Sequence, residues 1–377
     1  MTRFARTGLC VLLCFGLCSG SAAAASEPTV EEMAAQMLMV GFRGTELDDT
    51  SPIIRHIKAG HVGNVILFER DITVGGGQLR NIVSPEQLTA LSKSLQDAAP
   101  TDIPLWIAID QEGGRVQRLR PARGFAENYP SAQVLGYGDV SVTRDVAKRM
   151  GLELREMGIN VNFAPVADVN INRDSPVIGR IERSFSHDPG VVAQHVIAFS
   201  DGLREAGVIP CLKHFPGHGS ADHDTHIETT DVTLTWQESE LLPYRIAFES
   251  GFQGAVMTSH VLHRGLDPQY PASLSYSITT TLLREKLGWD GVVVTDDLHM
   301  GALMLHYSIE QIIYRAVSAG ADVLIFASNS SDMVYDPDFP QKAHDILVNL
   351  VIEGRISKER LYESWSRIVN LKSFHDE

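Results

Sequence analysis

Past residue 18 the sequence holds one cysteine, Cys211. A chain that has lost its first 25 residues therefore forms no internal disulfide, and its stability rests on its apolar core. Cys211 lies in the apolar run of residues 208–212 with no base beside it, so it reads as packing and not as a nucleophile. Positive charge is also scarce. Thirty-two Lys and Arg stand against 47 Asp and Glu, a net charge of −15. Such an acidic surface argues against nucleic acid as a partner. Long apolar runs are missing too. The run of residues 8–18 is too short to remain in a bilayer as a spanning helix.

That run instead has the form of a secretory signal. Arg3 and Arg6 precede it, and four alanines, Ala22 to Ala25, follow it. Cleavage after Ala25 is expected, which removes two Arg and no carboxylate and moves the net charge to −17. Cys18 offers a lipid attachment point, but the large Leu17 before it fits that poorly. The expected location is the periplasm or the exterior, with no membrane association beyond export.

The remaining 26–377 read as one domain. Apolar strand candidates fall at residues 37–42, 64–68, 104–110, 160–166, 209–215, 254–260, 291–297 and 323–327. Helical patterns with apolar residues three and four apart fall at 85–98, 143–157, 190–205, 237–250, 279–287 and 309–319. A helical tail over 339–371 breaks at Gly354. Eight strands alternating with helices predict an α/β fold, a single (β/α)8 TIM-type barrel with a C-terminal helical tail. The doubly wound sheet is the alternative; clustering of polar groups after so many strands favours the barrel. Three consecutive glycines, Gly75 to Gly77, predict a mobile loop over 75–80, either a lid or a surface excursion.

The strand ends carry the chemistry. Residues 213–226 hold four His, two Asp and one Lys, with Gly and Pro breaking any regular element. The third strand candidate ends in Asp110-Gln111-Glu112-Gly113-Gly114-Arg115-Val116-Gln117-Arg118, and the seventh in Thr295-Asp296-Asp297-Leu298. Period-two alternation puts Asp296 and Asp297 on opposite faces. Asp297 precedes a helical pattern and is expected to cap it, leaving Asp296 at the barrel mouth as a nucleophile or metal ligand. The same alternation sets Lys213 and His214 on opposite faces. His218 and His223 are expected to be solvated or bonded to backbone, and Asp168 to cap a turn. Four histidines with Asp296 also contain enough ligands for zinc, which keeps a zinc-dependent hydrolase open.

The segment 110–118, Glu182-Arg183-Ser184, the segment 213–219 with Asp224-Thr225-His226, and Thr295-Asp296-Asp297-Leu298 together resemble glycoside hydrolase family 3. The Asp-x-His pair after Lys-His-Phe-Pro-Gly-His-Gly resembles its β-N-acetylhexosaminidase branch. The resemblance spans about residues 30–371. It implies a retaining mechanism with Asp296 as nucleophile and His226, paired to Asp224, as acid and base. It places sugar-binding roles on Asp110, Arg118, Arg183, Lys213 and His214. It implies a carbohydrate substrate, no cofactor, no metal and a monomer. The expected reaction is exo-hydrolysis of terminal β-linked N-acetylglucosamine from peptidoglycan fragments or chitin oligomers. A β-glucosidase, a phosphorylase of the same family and a non-catalytic sugar-binding barrel are the alternatives. Thr225 stands where the branch more often has Ser, and the 75–80 insertion leaves the outer subsites open.

Overall fold

The chain enters the fold through a helix, α1 (Val30–Met37), fixed by a reciprocal cap between Thr29 and Glu32. The computed structural model describes residues 27–373, apart from 101, 102, 226, 227 and 332. The expected signal segment lies outside the described residues.

From α1 the chain passes into β1 (Leu38–Gly41) and β2 (Asn64–Ile66). A hairpin of β3 (Arg70–Asp71) and β4 (Gln78–Leu79) comes next. Then come β5 (Trp106–Ile109), β6 (Val161–Asn162), β7 (Ile209–Phe215), β8 (Ala255–Thr258), β9 (Val292–Thr295) and β10 (Leu324–Phe326). Outside the hairpin the strands pair in parallel, in the order β10-β1-β2-β5-β6-β7-β8-β9. The Val294–Val323 bridge joins β9 to β10, and the Thr295 amide donates to the Val323 carbonyl at 2.9 Å. That contact closes the ring. Both faces of these strands are buried, which is why their sequences are nearly continuous apolar runs.

Helices cover the outside: α2 (Pro52–Lys58), α3 (Pro85–Asp97), α4 (Ala132–Gly136), α5 (Val140–Glu156), α6 (Pro189–Glu205), α7 (Leu242–Glu249), α8 (Gly301–Met304) and α9 (Ile309–Ala319). The tail forms α10 (Phe339–Ile352) and α11 (Lys358–Lys372), separated at Gly354, whose φ of 70° suits glycine. Lys372 locks this tail under the barrel. Its fully buried Nζ donates to Gln36 Oε1 at 2.8 Å and to the Gly63 carbonyl at 2.9 Å.

Four elements depart from the sequence reading. The pattern at 279–287 forms a π-helix, Ser277–Lys286. Here Thr279 Oγ1 donates to the Ala272 carbonyl and Thr280 Oγ1 to the Ala319 carbonyl, tying the element outward. Helices α1 and α2 have no counterpart in the sequence reading, which starts with the strand at 37–42. The glycine-rich insertion closes the β3–β4 hairpin. Arg80 at its end is buried, and its guanidinium donates to the carbonyls of Phe42, Ala327 and Ser328.

Candidate active site

The C-terminal ends of the strands surround a cavity of about 530 Å³. Its lining includes Asp110, Arg118, Arg183, Lys213, His214, Asp224 and Asp296. These come from β7 itself and from the loops after β5, β6, β7 and β9, far apart in sequence, and only closure of the barrel brings them together. The remaining residue of the expected set, His226, lies outside the described residues.

The floor is a network of alternating charge. Lys213 Nζ donates to Asp110 Oδ1 at 2.8 Å and lies 2.7 Å from Glu112 Oε1. Arg183 grips Glu112 with two parallel bonds, Nε to Oε2 and Nη2 to Oε1, both 2.8 Å. Arg118 stands 3.7 Å from Asp110. Burial pushes the Glu112 carboxyl up, but Arg183 and Lys213 overcome it and hold the group well below the usual carboxylate range. Burial likewise opposes the charge on Asp110, and Lys213 and then Arg118 outweigh it. Desolvation works against the Lys213 ammonium, yet Asp110 and Glu112 raise its pKa. Glu112 and Lys213 are buried, Asp110, Arg118 and Arg183 are half-buried, and each charge faces an opposite one.

His214 hangs from this network. Its Nδ1 lies 2.7 Å from Asp168 Oδ2, so that nitrogen donates. Its Nε2 then faces Arg183 Nη2 at 3.3 Å and accepts. Asp168 is fully buried and also receives the amides of His214 and His218, at 3.1 and 2.8 Å. It fixes the turn, as expected, and sets the imidazole as well. Lys213 and His214 both reach the cavity, contrary to the expectation from strand alternation. The pairing of β7 with β8 shifts register between Leu212 and Phe215, and such a break ends the period-two rule.

Asp296 is the first residue beyond β9. Its amide donates to the Thr258 carbonyl at 2.9 Å, and its Oδ1 accepts the Asp297 amide at 2.8 Å. Asp297 also lines the cavity and caps no helix, since α8 starts at Gly301 after Met300. It accepts instead from the amides of His299, at 3.0 Å, and Ala327, at 2.9 Å, joining the β9 loop to the end of β10. Asp297 thus anchors the segment that presents Asp296.

The loop that carries Asp224 folds back over this segment. The Ala302 amide donates to the Thr225 carbonyl at 3.3 Å, and Thr225 Oγ1 lies 3.1 Å from His218 Nε2. His218 is buried, not solvated. Burial first, and His214 second, push its pKa down to about 4, so it is neutral near pH 7. His223 is exposed and pairs with Asp222. Below the loop lies Glu240, fully buried, with Oε2 accepting the Gly219 amide at 3.1 Å. Desolvation pushes this carboxyl up to about 8.

Glu112, which the sequence reading held only within the segment 110–118 and outside the first rank of site residues, stands at the centre of this network. The signal was present: Asp110 and Glu112 are two apart at a strand end, so they can project to one side.

A model of the glycosyl hydrolase family 3 N-terminal domain matches residues 29–371. The chain is 38% identical to a β-hexosaminidase of Tolumonas auensis, over 79% of this chain and 84% of that protein. It is 33% identical to β-hexosaminidase A of Pseudoalteromonas piscicida, over 94% of this chain and 63% of that protein. A family 3 β-N-acetylglucosaminidase from Paenibacillus sp. superposes with a TM-score of 0.83 at 37% identity, covering 93% of this chain and 63% of that one. The β-N-acetylhexosaminidase of Beutenbergia cavernae gives 0.81 at 30% identity, covering 92% and 99%. The chain therefore spans under two thirds of the length of some relatives and nearly the whole of others. On the extent of these matches, the chain belongs to glycosyl hydrolase family 3, among relatives named as β-hexosaminidases.

Proposed function

We propose that this chain is a retaining exo-β-N-acetylglucosaminidase that removes terminal N-acetylglucosamine from peptidoglycan fragments, with chitin oligomers as the second candidate. The observation that carries the reading is that Asp296 and Asp224 line one cavity whose floor is the Asp110–Lys213–Glu112–Arg183 network. Carboxylates and cations locked in this way offer fixed acceptors and donors to sugar hydroxyls and need little rearrangement on binding. His214, set by Asp168, contributes one more polar atom. In the reaction Asp296 attacks the anomeric carbon as His226 protonates the departing oxygen, and a glycosyl ester forms on Asp296. Water then attacks the same carbon. His226 takes its proton, and the Asp296 carboxylate leaves. Asp224 orients the imidazole and stabilises its protonated form. The role of His226 rests on the sequence motif.

The same reading places the protein in the periplasm or outside the cell, as a monomer that needs no cofactor. Rates on an aryl β-N-acetylglucosaminide and the matching β-glucoside test it. Faster release from the N-acetyl substrate is expected. Faster release from the glucoside would overturn the proposal.

A further inference from the structure

The lining of the cavity holds six carboxylates and five cations, and one of those cations has no carboxylate of its own. It stands on the β3–β4 hairpin. Glu69 and Asp71 flank Arg70 in sequence, and both are buried. Period-two alternation turns them one way and Arg70 the other. Each already holds two arginines. Glu69 pairs with Arg120 at 3.1 Å and Arg123 at 3.0 Å. Asp71 pairs with Arg43 at 2.5 Å and Arg80 at 3.5 Å. Five arginines thus stand around two carboxylates, and Arg70 is the one left over. It lines the cavity and is exposed. Its Nη1 donates to the Gly76 carbonyl at 3.2 Å, and among the described residues it pairs with no carboxylate. Every other arginine or lysine lining the cavity faces one.

Arg70 is also held in place. Asn329, in the loop after β10, donates from Nδ2 to the Arg70 carbonyl at 3.1 Å. Its Oδ1 accepts from the Ile72 amide at 2.8 Å and from Arg80 Nη1 at 3.1 Å. Arg80 is buried at the hairpin's base; desolvation brings its pKa down to about 10, which leaves it charged at neutral pH. A guanidinium mounted on a fixed hairpin has little freedom to lose when an anion docks. The cavity falls within the ~300–1,000 Å³ of pockets that enclose drug-sized ligands, so it has room beyond one sugar ring.

We propose that Arg70 forms the leaving-group subsite of this enzyme and selects leaving groups that carry a carboxylate. The inference rests on the hydrolase reading above and adds the chemical class of the aglycone. The test compares 4-carboxyphenyl and 4-carbamoylphenyl β-N-acetylglucosaminides, two aglycones of one shape that differ in charge. The readout is the ratio of their kcat/KM values in wild type, Arg70→Gln and Arg70→Lys. Intrinsic leaving-group reactivity cancels when ratios are compared between variants.

The ratio is expected to fall about fivefold in Arg70→Gln, the size of a partly exposed guanidinium–carboxylate pair, and less in Arg70→Lys. In the wild type the preference for the charged aglycone should also shrink as salt is added. An unchanged ratio in Arg70→Gln, with both substrates cleaved, would overturn the subsite and leave the hydrolase reading intact. Cleavage of neither substrate by the wild type would overturn both. Added inorganic phosphate is the remaining arm. If it speeds turnover, yields the sugar phosphate, and does so only when Arg70 is present, the bound anion is a co-substrate and the leaving-group assignment fails.

Discussion

Glu112 is the residue on which the site's geometry depends most. It joins Arg183 to Lys213, and through them Asp110 to His214. Glu112→Gln leaves two buried cations with only Asp110 between them. Breaking a buried pair from one side costs about 3–5 kcal/mol, so thermal denaturation should show a clear fall in Tm. KM should rise together with a loss in kcat, because the donors lose their positions. Its folded pKa is depressed, so its stabilising contribution is present above the ordinary 4.5 and is lost as the pH falls below it. His226 should behave differently. His226→Ala is expected to slow substrates with poor leaving groups most, and added azide should restore part of its rate. Equal losses for all leaving groups would remove His226 from the acid role. The sequence displayed every one of these residues. It did not display their pairing, since Glu112 and Arg183, on two separate loops, meet Lys213 on β7 only in the folded barrel.

At the scale of elements, the loop from Pro216 to Ser220 is seated with almost no clearance. A Cβ on Gly219 would stand 1.7 Å from the Val169 carbonyl oxygen, which is backbone and cannot turn aside. Gly219→Ala must therefore lift the loop that carries Asp224, and kcat should drop by about a hundredfold or more, as small misplacements of catalytic groups do. A second contact between elements is sensitive to acid. His56 on α2 is buried, with Nδ1 3.1 Å from His61 Nδ1, and the His61 ring lies 5.3 Å from that of His344 on α10. Asp338 stands 3.6 Å from His56, and Asp345 3.7 Å from His344.

Burial lowers the pKa of His56; His61 is lowered by burial first and then by the two neighbouring imidazoles. The neutral forms are the ones the fold prefers. Their contribution is therefore complete above the ordinary 6.5 and is lost as the pH falls through it. Tm should decline between about pH 7.5 and about pH 5, and less steeply in His61→Gln. A decline of equal slope in the variant would assign it to other groups.

Element order was legible from the alternation of apolar runs with helical patterns, because each strand is buried on both faces and each helix on one. The hairpin was not legible. Glycines announced a flexible loop, while the buried Arg80 that fixes it finds its acceptors at Phe42, Ala327 and Ser328, hundreds of residues away in part.

For the molecule as a whole, the barrel brings the ends of seven strands to one cavity, and the family match covers nearly the full described chain. The barrel and the position of Asp296 at its mouth were legible in the sequence, since a carboxylate at the end of an apolar strand has few other roles there. The seat of Asp297 was not, because its bond to Ala327 depends on closure of the ring between β9 and β10. Attack by Asp296 on the anomeric carbon is the central claim. It is tested most directly by incubating the protein with a 5-fluoro N-acetylglucosaminyl fluoride and mapping the labelled peptide by mass spectrometry. A single sugar adduct on Asp296, absent from Asp296→Ala, is the expected result. An adduct on another residue, or steady turnover that never passes through an adduct, would contradict it.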